Sequence, residues 1–133
     1  MKNYILTACV AMLFCLQLSA KGEGDSPQVY MFGVAGAFGD TIVCMTDIQL
    51  VESAKVGKHG FLEARNQYAY QLKGYLENVL GMPHRTCAIF FSEKKSKIEK
   101  KFLKVRKRYQ KDDGIELRYV GESDFKFKQF SFE

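Results

Sequence analysis

The chain has no tryptophan, only two prolines and only two histidines, and each shortage narrows what it can be. With two prolines and no stretch rich in Pro, Ser or Gly there is no linker, so 133 residues fit one domain. Without tryptophan, large buried areas must come from eleven Phe and seven Tyr. The two histidines limit metal chemistry. A zinc centre would have to recruit His59, His84, Cys44 and Cys87, whose spacing matches no recognised zinc pattern, so no metal and no cofactor is implied. They limit nucleophilic catalysis too, because a reactive Cys44 or Cys87 needs an exposed thiol with a histidine in reach. Asp40, Asp47 and Glu52 could gather at one sheet edge, yet nothing in their spacing makes two carboxylates face each other. No catalytic residue is assigned.

Glycine is present but not in a phosphate-binding arrangement. Gly33, Gly36 and Gly39 follow a strand pattern, as in a dinucleotide-binding loop. A second strand rather than a helix is expected next, so the loop lacks the helix N-terminus that would hold a pyrophosphate. The turn Phe91-Ser92-Glu93-Lys94 has no glycine at all, and Ser92 reads as a helix N-cap.

Apolar content is concentrated at the N-terminus. Met1-Lys2-Asn3 is a short positive region, Tyr4 to Leu16 is apolar with no polar face, and Ala20 offers a small residue for cleavage. That is the pattern of a secretory signal peptide over 1–20. The run is too short for a good transmembrane helix, and none is expected after signal removal. Lipidation is the weaker alternative: too few apolar residues precede Cys9, and bulky Phe14 precedes Cys15. Export, to a periplasm or beyond the cell, is therefore the expected localisation. Cleavage after Ala20 removes Cys9 and Cys15 and leaves Cys44 and Cys87. In an oxidising compartment this pair can close a disulfide. Both lie in apolar strand-like runs, where bridging neighbouring strands strains the geometry, so two buried thiols are the favoured alternative.

Residues 21–28 are polar and read as a loose tail ahead of a globular domain over 29–133. Val29–Ala35 is rich in β-branched and aromatic residues and predicts a strand. Thr41–Val51 predicts a second, with Ile42, Cys44, Ile48 and Leu50 on one face and Val43, Met45 and Val51 on the other. Phe61–Leu80 has helical spacing, with Phe61, Tyr68, Leu72, Leu76, Val79 and Leu80 as its stripe, Gly81 as C-cap and Pro83 preventing continuation. Arg85–Phe91 is a third strand, and Glu93–Lys111 a second helix with the stripe Ile98, Phe102, Val105, Tyr109. Ile115–Val120 alternates as an edge strand. Phe125–Phe132 is either a last strand or a tail laid over the core by its four Phe. The expectation is a single α/β domain: a mixed sheet of four or five strands with two main helices, in the order β-β-α-β-α-β with an optional final strand.

The second helix carries the most distinctive chemistry. Ten Lys or Arg against Glu93 and Glu99 give +8 between 93 and 111, while the whole chain is +5, so all else sums to −3. Lys97, Lys100, Lys101, Lys104, Lys107 and Arg108 are the candidate anion-binding residues. Anionic lipid, an acidic glycan or an acidic protein would suit them. Nucleic acid is disfavoured by the export signal, although such clusters neutralise phosphates in cytosolic proteins. A solvated face that keeps the protein soluble explains the same residues without a ligand.

The segments Phe38-Gly-Asp-Thr-Ile-Val, Thr46-Asp-Ile-Gln, Tyr68-Ala-Tyr-Gln-Leu, Arg85-Thr-Cys-Ala-Ile-Phe-Phe and Glu99-Lys-Lys together resemble a group of small exported proteins of Bacteroidales bacteria of uncharacterised function. The resemblance spans nearly all of the chain after the signal, and its motifs are packing and turn sequences. It implies a Gram-negative envelope or secreted setting and carries over no activity. The expectation is an exported, non-enzymatic domain that binds an anionic surface or partner. A small envelope hydrolase or cysteine-dependent enzyme and a subunit of an envelope assembly are the alternatives, and the oligomeric state is open.

Overall fold

A computed structural model describes residues 28–130, so the expected signal peptide over 1–20, the expected tail over 21–28 except Gln28, and Phe132 lie outside the described residues, while Gln28 opens the first strand. The elements are β1 (Gln28–Gly36), β2 (Ile42–Thr46), β3 (Gln49–Glu52), α1 (Arg65–Asn78), β4 (Thr86–Ser92), α2 (Lys95–Gln110) and β5 (Glu116–Val120). They form one small α/β domain around a mixed five-stranded sheet. β1 is its spine. It pairs antiparallel with β4 along one side and with β2 and β3, end to end, along the other. β5 joins β2 in parallel. β4 therefore bounds the sheet on one side, and β3 and β5 bound it on the other.

The expected second strand is two strands, and the register gives the reason. Val34 pairs with Met45, whereas Met31 pairs with Gln49. Two β1 residues thus oppose three, Thr46, Asp47 and Ile48, which is a β-bulge. The Gly33 N–H left without a ladder partner donates to Thr46 Oγ1 at 2.8 Å, and that hydroxyl donates to the Asp47 carbonyl at 3.0 Å. An extra residue inverts which face each later side chain takes. Ile42 and Cys44 lie with the α1-side core, but Ile48 packs with the α2-side core while Val51 returns to the first. The sequence-based faces of Ile48, Leu50 and Val51 are thereby corrected.

The two helices cover opposite faces. Val29, Met31, Ala35, Cys44 and Ile89 pack under Tyr68, Leu72 and Leu76 of α1. Phe32, Val34, Val43 and Met45 pack under Ile98 and Val105 of α2, with Phe102 and Tyr109 half-buried beside them. Phe32 stacks on Phe90 (4.9 Å between centroids) and meets Phe102 edge-on (5.2 Å), which ties β1, β4 and α2 together. The alternation of β1 suits this: its odd residues feed one core and its even residues the other.

α1 is shorter than its periodicity predicts. Gly60 and Ala64 both take positive φ, so the chain enters the helix only at Arg65. Phe61 is left 69% exposed, Leu62 is buried instead, and Val79 and Leu80 project into solvent beyond the helix end. Gly81 does close the helix, at φ +65°, with the Met82 N–H donating to the Leu76 carbonyl. α2 begins at Lys95, and the Ser92 hydroxyl accepts the Lys94 N–H in the turn before it.

No final strand forms over 121–130. The segment lies over the α1 face, and two glutamines replace the missing ladder. The buried Gln49 amide donates to the Phe125 carbonyl (2.9 Å) and accepts the Phe127 N–H (2.8 Å). Gln71 makes the same pair of bonds to Lys128 at 2.8 and 2.9 Å. Phe125 and Phe127 are buried, in T-shaped contact with each other.

Candidate functional site

The cations of α2 are not spread around the helix. At about 100° per residue, Lys97, Lys100, Lys101, Lys104, Lys107, Arg108 and Lys111 fall in one arc about 120° wide, beside the buried stripe. The opposite flank is mixed, with Glu99, Leu103 and Gln110. All six candidate anion-binding residues are exposed. Among the described residues none of the six forms a salt bridge; the helix's ion pair is Lys95 with Glu99, 4.0 Å apart and solvent-exposed.

One margin of the cationic arc borders the open edge of the sheet. Lys97 and Lys101 line a groove of about 280 Å³ with Ile89–Ser92 of β4 and Arg65 of α1. The Lys101 ammonium lies 5.5 Å from the centre of the Phe90 ring, and the Arg65 guanidinium lies 5.6 Å from that of Phe91. Arg65 Nη2 also donates to the Ile89 carbonyl at 2.8 Å. A second groove of about 320 Å³ continues along the same strand, between Lys73 and Tyr70 of α1 and Arg85, Thr86 and Cys87. Neither groove is lined by an acidic residue. Lys100, Lys104, Lys107 and Arg108 stand outside both grooves on the outer surface of α2.

Arg65, Lys73 and Arg85 are the members of this surface that pattern reading missed. On α1, Arg65 and Lys73 look like ordinary polar-face residues; only the placement of β4 at the edge brings them opposite α2. Arg85 has a structural task. Its side chain is 5% exposed and reaches over the end of β1, donating to the Ile42 carbonyl at 2.7 Å and forming an ion pair with Asp40. It thus ties β4 to the β1–β2 turn. The Ile42 N–H and then the Arg85 charge hold the Asp40 carboxyl below its ordinary value against an opposing effect of burial.

The two thiols are free. Both pair across Ala35, Cys44 from β2 and Cys87 from β4, so two strand spacings, ~9.5–10 Å, separate their Cα atoms. A disulfide does not span that distance. Cys44 is buried with its sulfur 3.9 Å from that of Met82, and burial pushes its pKa up. Cys87 is half-buried, and burial pushes its thiol up to about 11, far from the thiolate a nucleophile requires. No hydrogen bond joins either thiol to His59 or His84, which are exposed. Among the described residues, no three His, Cys, Asp or Glu gather as a metal site, and no helix is long and apolar enough to cross a membrane.

No family model, no curated protein and no solved structure matches the chain.

Proposed function

We propose that this chain is an exported, non-enzymatic binding domain whose cationic surface, the outward arc of α2 together with the β4 edge, engages an anionic partner. The observation that carries the reading is the arc: seven basic side chains within about a third of the helix circumference, none offset by an acid. A surface kept basic only for solubility would mix signs. Here the mixing stops at one flank, and the unmixed side adjoins a groove. The N-terminal signal pattern supports an extracytoplasmic partner rather than nucleic acid. The raised pKa of both thiols, Cys44 buried and Cys87 half-buried, and the internal packing of Phe125 and Phe127 direct attention away from cysteine chemistry and a C-terminal interface.

Retention on heparin and on anionic vesicles, followed as salt rises, tests the reading. Changing Lys97, Lys101, Lys104 and Arg108 to Glu shifts four residues by two charges each and takes the formal charge from +5 to −3. Loss of retention in this variant, but not in one reversed at Lys55, Lys58, Lys126 and Lys128, is expected. Equal retention of both variants, or no retention of the wild type at low salt, refutes it.

A further inference from the structure

We infer that the open edge of β4 receives an acidic, extended polypeptide segment as an added strand; this rests on the anion-binding reading and names the partner. Two hydrogen bonds show how the edge is presented. Gly33 pairs with Ile89 across the β1–β4 ladder, yet the Gly33 N–H donates to Thr46 Oγ1 on the far side of β1. Gly33–Ile89 is therefore a non-hydrogen-bonded pair, and the Ile89 N–H and C=O point away from β1. The Arg65 bond to the Ile89 carbonyl agrees. By alternation, the amides of Cys87, Ile89 and Phe91 all face outward. A seven-residue strand thus offers three donors at an edge that no strand among the described residues pairs with.

Charge selects the occupant. Exposed edges are commonly guarded by cations, and Arg65 does sit on the central carbonyl. Here, however, Arg65, Lys73, Lys97 and Lys101 flank the edge from both helices, with two grooves beside the strand and no acid in either lining. A second copy of this chain would bring the same cations against these, so self-pairing is opposed. An incoming strand with alternating carboxylates could offer them to the lysines of α2 on one face. Its carbonyls would meet the three amides, and Arg65 would exchange the Ile89 carbonyl for a carboxylate. Backbone bonds supply affinity in this mode, and alternate side chains supply selectivity.

The probe is a capped heptapeptide alternating Glu and Val, compared with the same peptide N-methylated on the backbone amides that would face β4. Binding to the full chain is followed by calorimetry, and amide hydrogen exchange is read at Cys87, Ile89 and Phe91. Tighter binding of the unmethylated peptide by about tenfold or more, with slowed exchange at those three amides, is expected. Lys97→Glu with Lys101→Glu should abolish it while leaving the melting temperature in place. Equal binding of both peptides without protection overturns strand addition but leaves the anionic partner standing. Failure of both peptides while heparin or anionic vesicles still retain the protein does the same, and failure of every anion overturns both readings. Dimerisation of the protein alone, with protection at the same amides, overturns the choice of occupant.

Discussion

Replacing Gly33 with alanine tests how tightly α1 is seated on the sheet. A β-carbon at Gly33 would lie 2.6 Å from Leu72 Cδ2, 3.3 Å from Ile89 Cδ1 and 3.4 Å from Phe127 Cζ. Carbon atoms pack best at about 3.5–4.0 Å, so Leu72 would have to retreat by roughly 0.9 Å. It is fully buried between Tyr68 and Leu76, with no solvent side to retreat toward. Overpacking of this kind costs about 1–3 kcal/mol. Alanine regains about 0.5–1 kcal/mol over glycine through the lower entropy of the unfolded chain. The net expectation is a loss of about 1–2 kcal/mol, or a melting temperature lower by roughly 5–10 °C for a domain of this size. Thermal and urea melts give the value, and a double-mutant cycle gives the cause. Leu72→Ala alone should cost about 2–5 kcal/mol by opening a cavity. Combined with Gly33→Ala, the new methyl partly fills that cavity, so the double variant should be more stable than the sum by about 1 kcal/mol. A rise in stability on Gly33→Ala, or simple additivity within ~0.5 kcal/mol, would refute the argument.

Gln49→Leu should cost about 2–4 kcal/mol, because the Phe125 carbonyl and the Phe127 N–H would each lose a buried partner. Gln71→Leu, whose bonds to Lys128 are solvent-exposed, should cost less than about 1 kcal/mol, and urea midpoints compare the two. Stability should also fall as pH rises from 9 toward 11. The Cys87 thiol ionises near 9.0 in the unfolded chain but at about 11 when folded, so alkali draws the proton from the unfolded state first. Urea melts across that range should show a shallower slope in Cys87→Ala, the remainder coming from Cys44, whose thiol is also pushed up by burial, and alkylation of native Cys87 at pH 8 should run far slower than that of an exposed cysteine. Peptide mapping without reductant should recover Cys44 and Cys87 unlinked to each other, since Ala35 separates their strands; a Cys44–Cys87 crosslink would contradict the register.

Local patterns were legible where a segment's own periodicity determines its state. The Ile98, Phe102, Val105 and Tyr109 stripe places α2 correctly because four spaced apolar residues on a highly charged segment allow only one buried face. The α1 stripe overextends the helix, since the positive-φ residues Gly60 and Ala64 end the approach loop without any break in apolar spacing. The bulge at Asp47 was invisible for a related reason. An extra residue in a strand leaves no mark on composition, yet it exchanges the faces of Ile48, Leu50 and Val51. The C-terminal alternation resembles a strand because Phe125 and Phe127 do point inward, but the partners that hold the segment are glutamine amides.

The concentration of positive charge on α2, the α/β class and the stripe that docks α2 follow from the order of residues alone, because charge and periodicity are local properties. What the basic arc adjoins is not local. Arg65 and Lys97 are far apart in the chain and share a groove only because β4 pairs with β1 on one side and, among the described residues, no strand pairs with its other edge. The opposite placement of the helices and the separation of Cys44 from Cys87 by Ala35 were decided in the same way. Strand order is set by which edges find partners once both faces are buried, and that competition involves the whole chain at once.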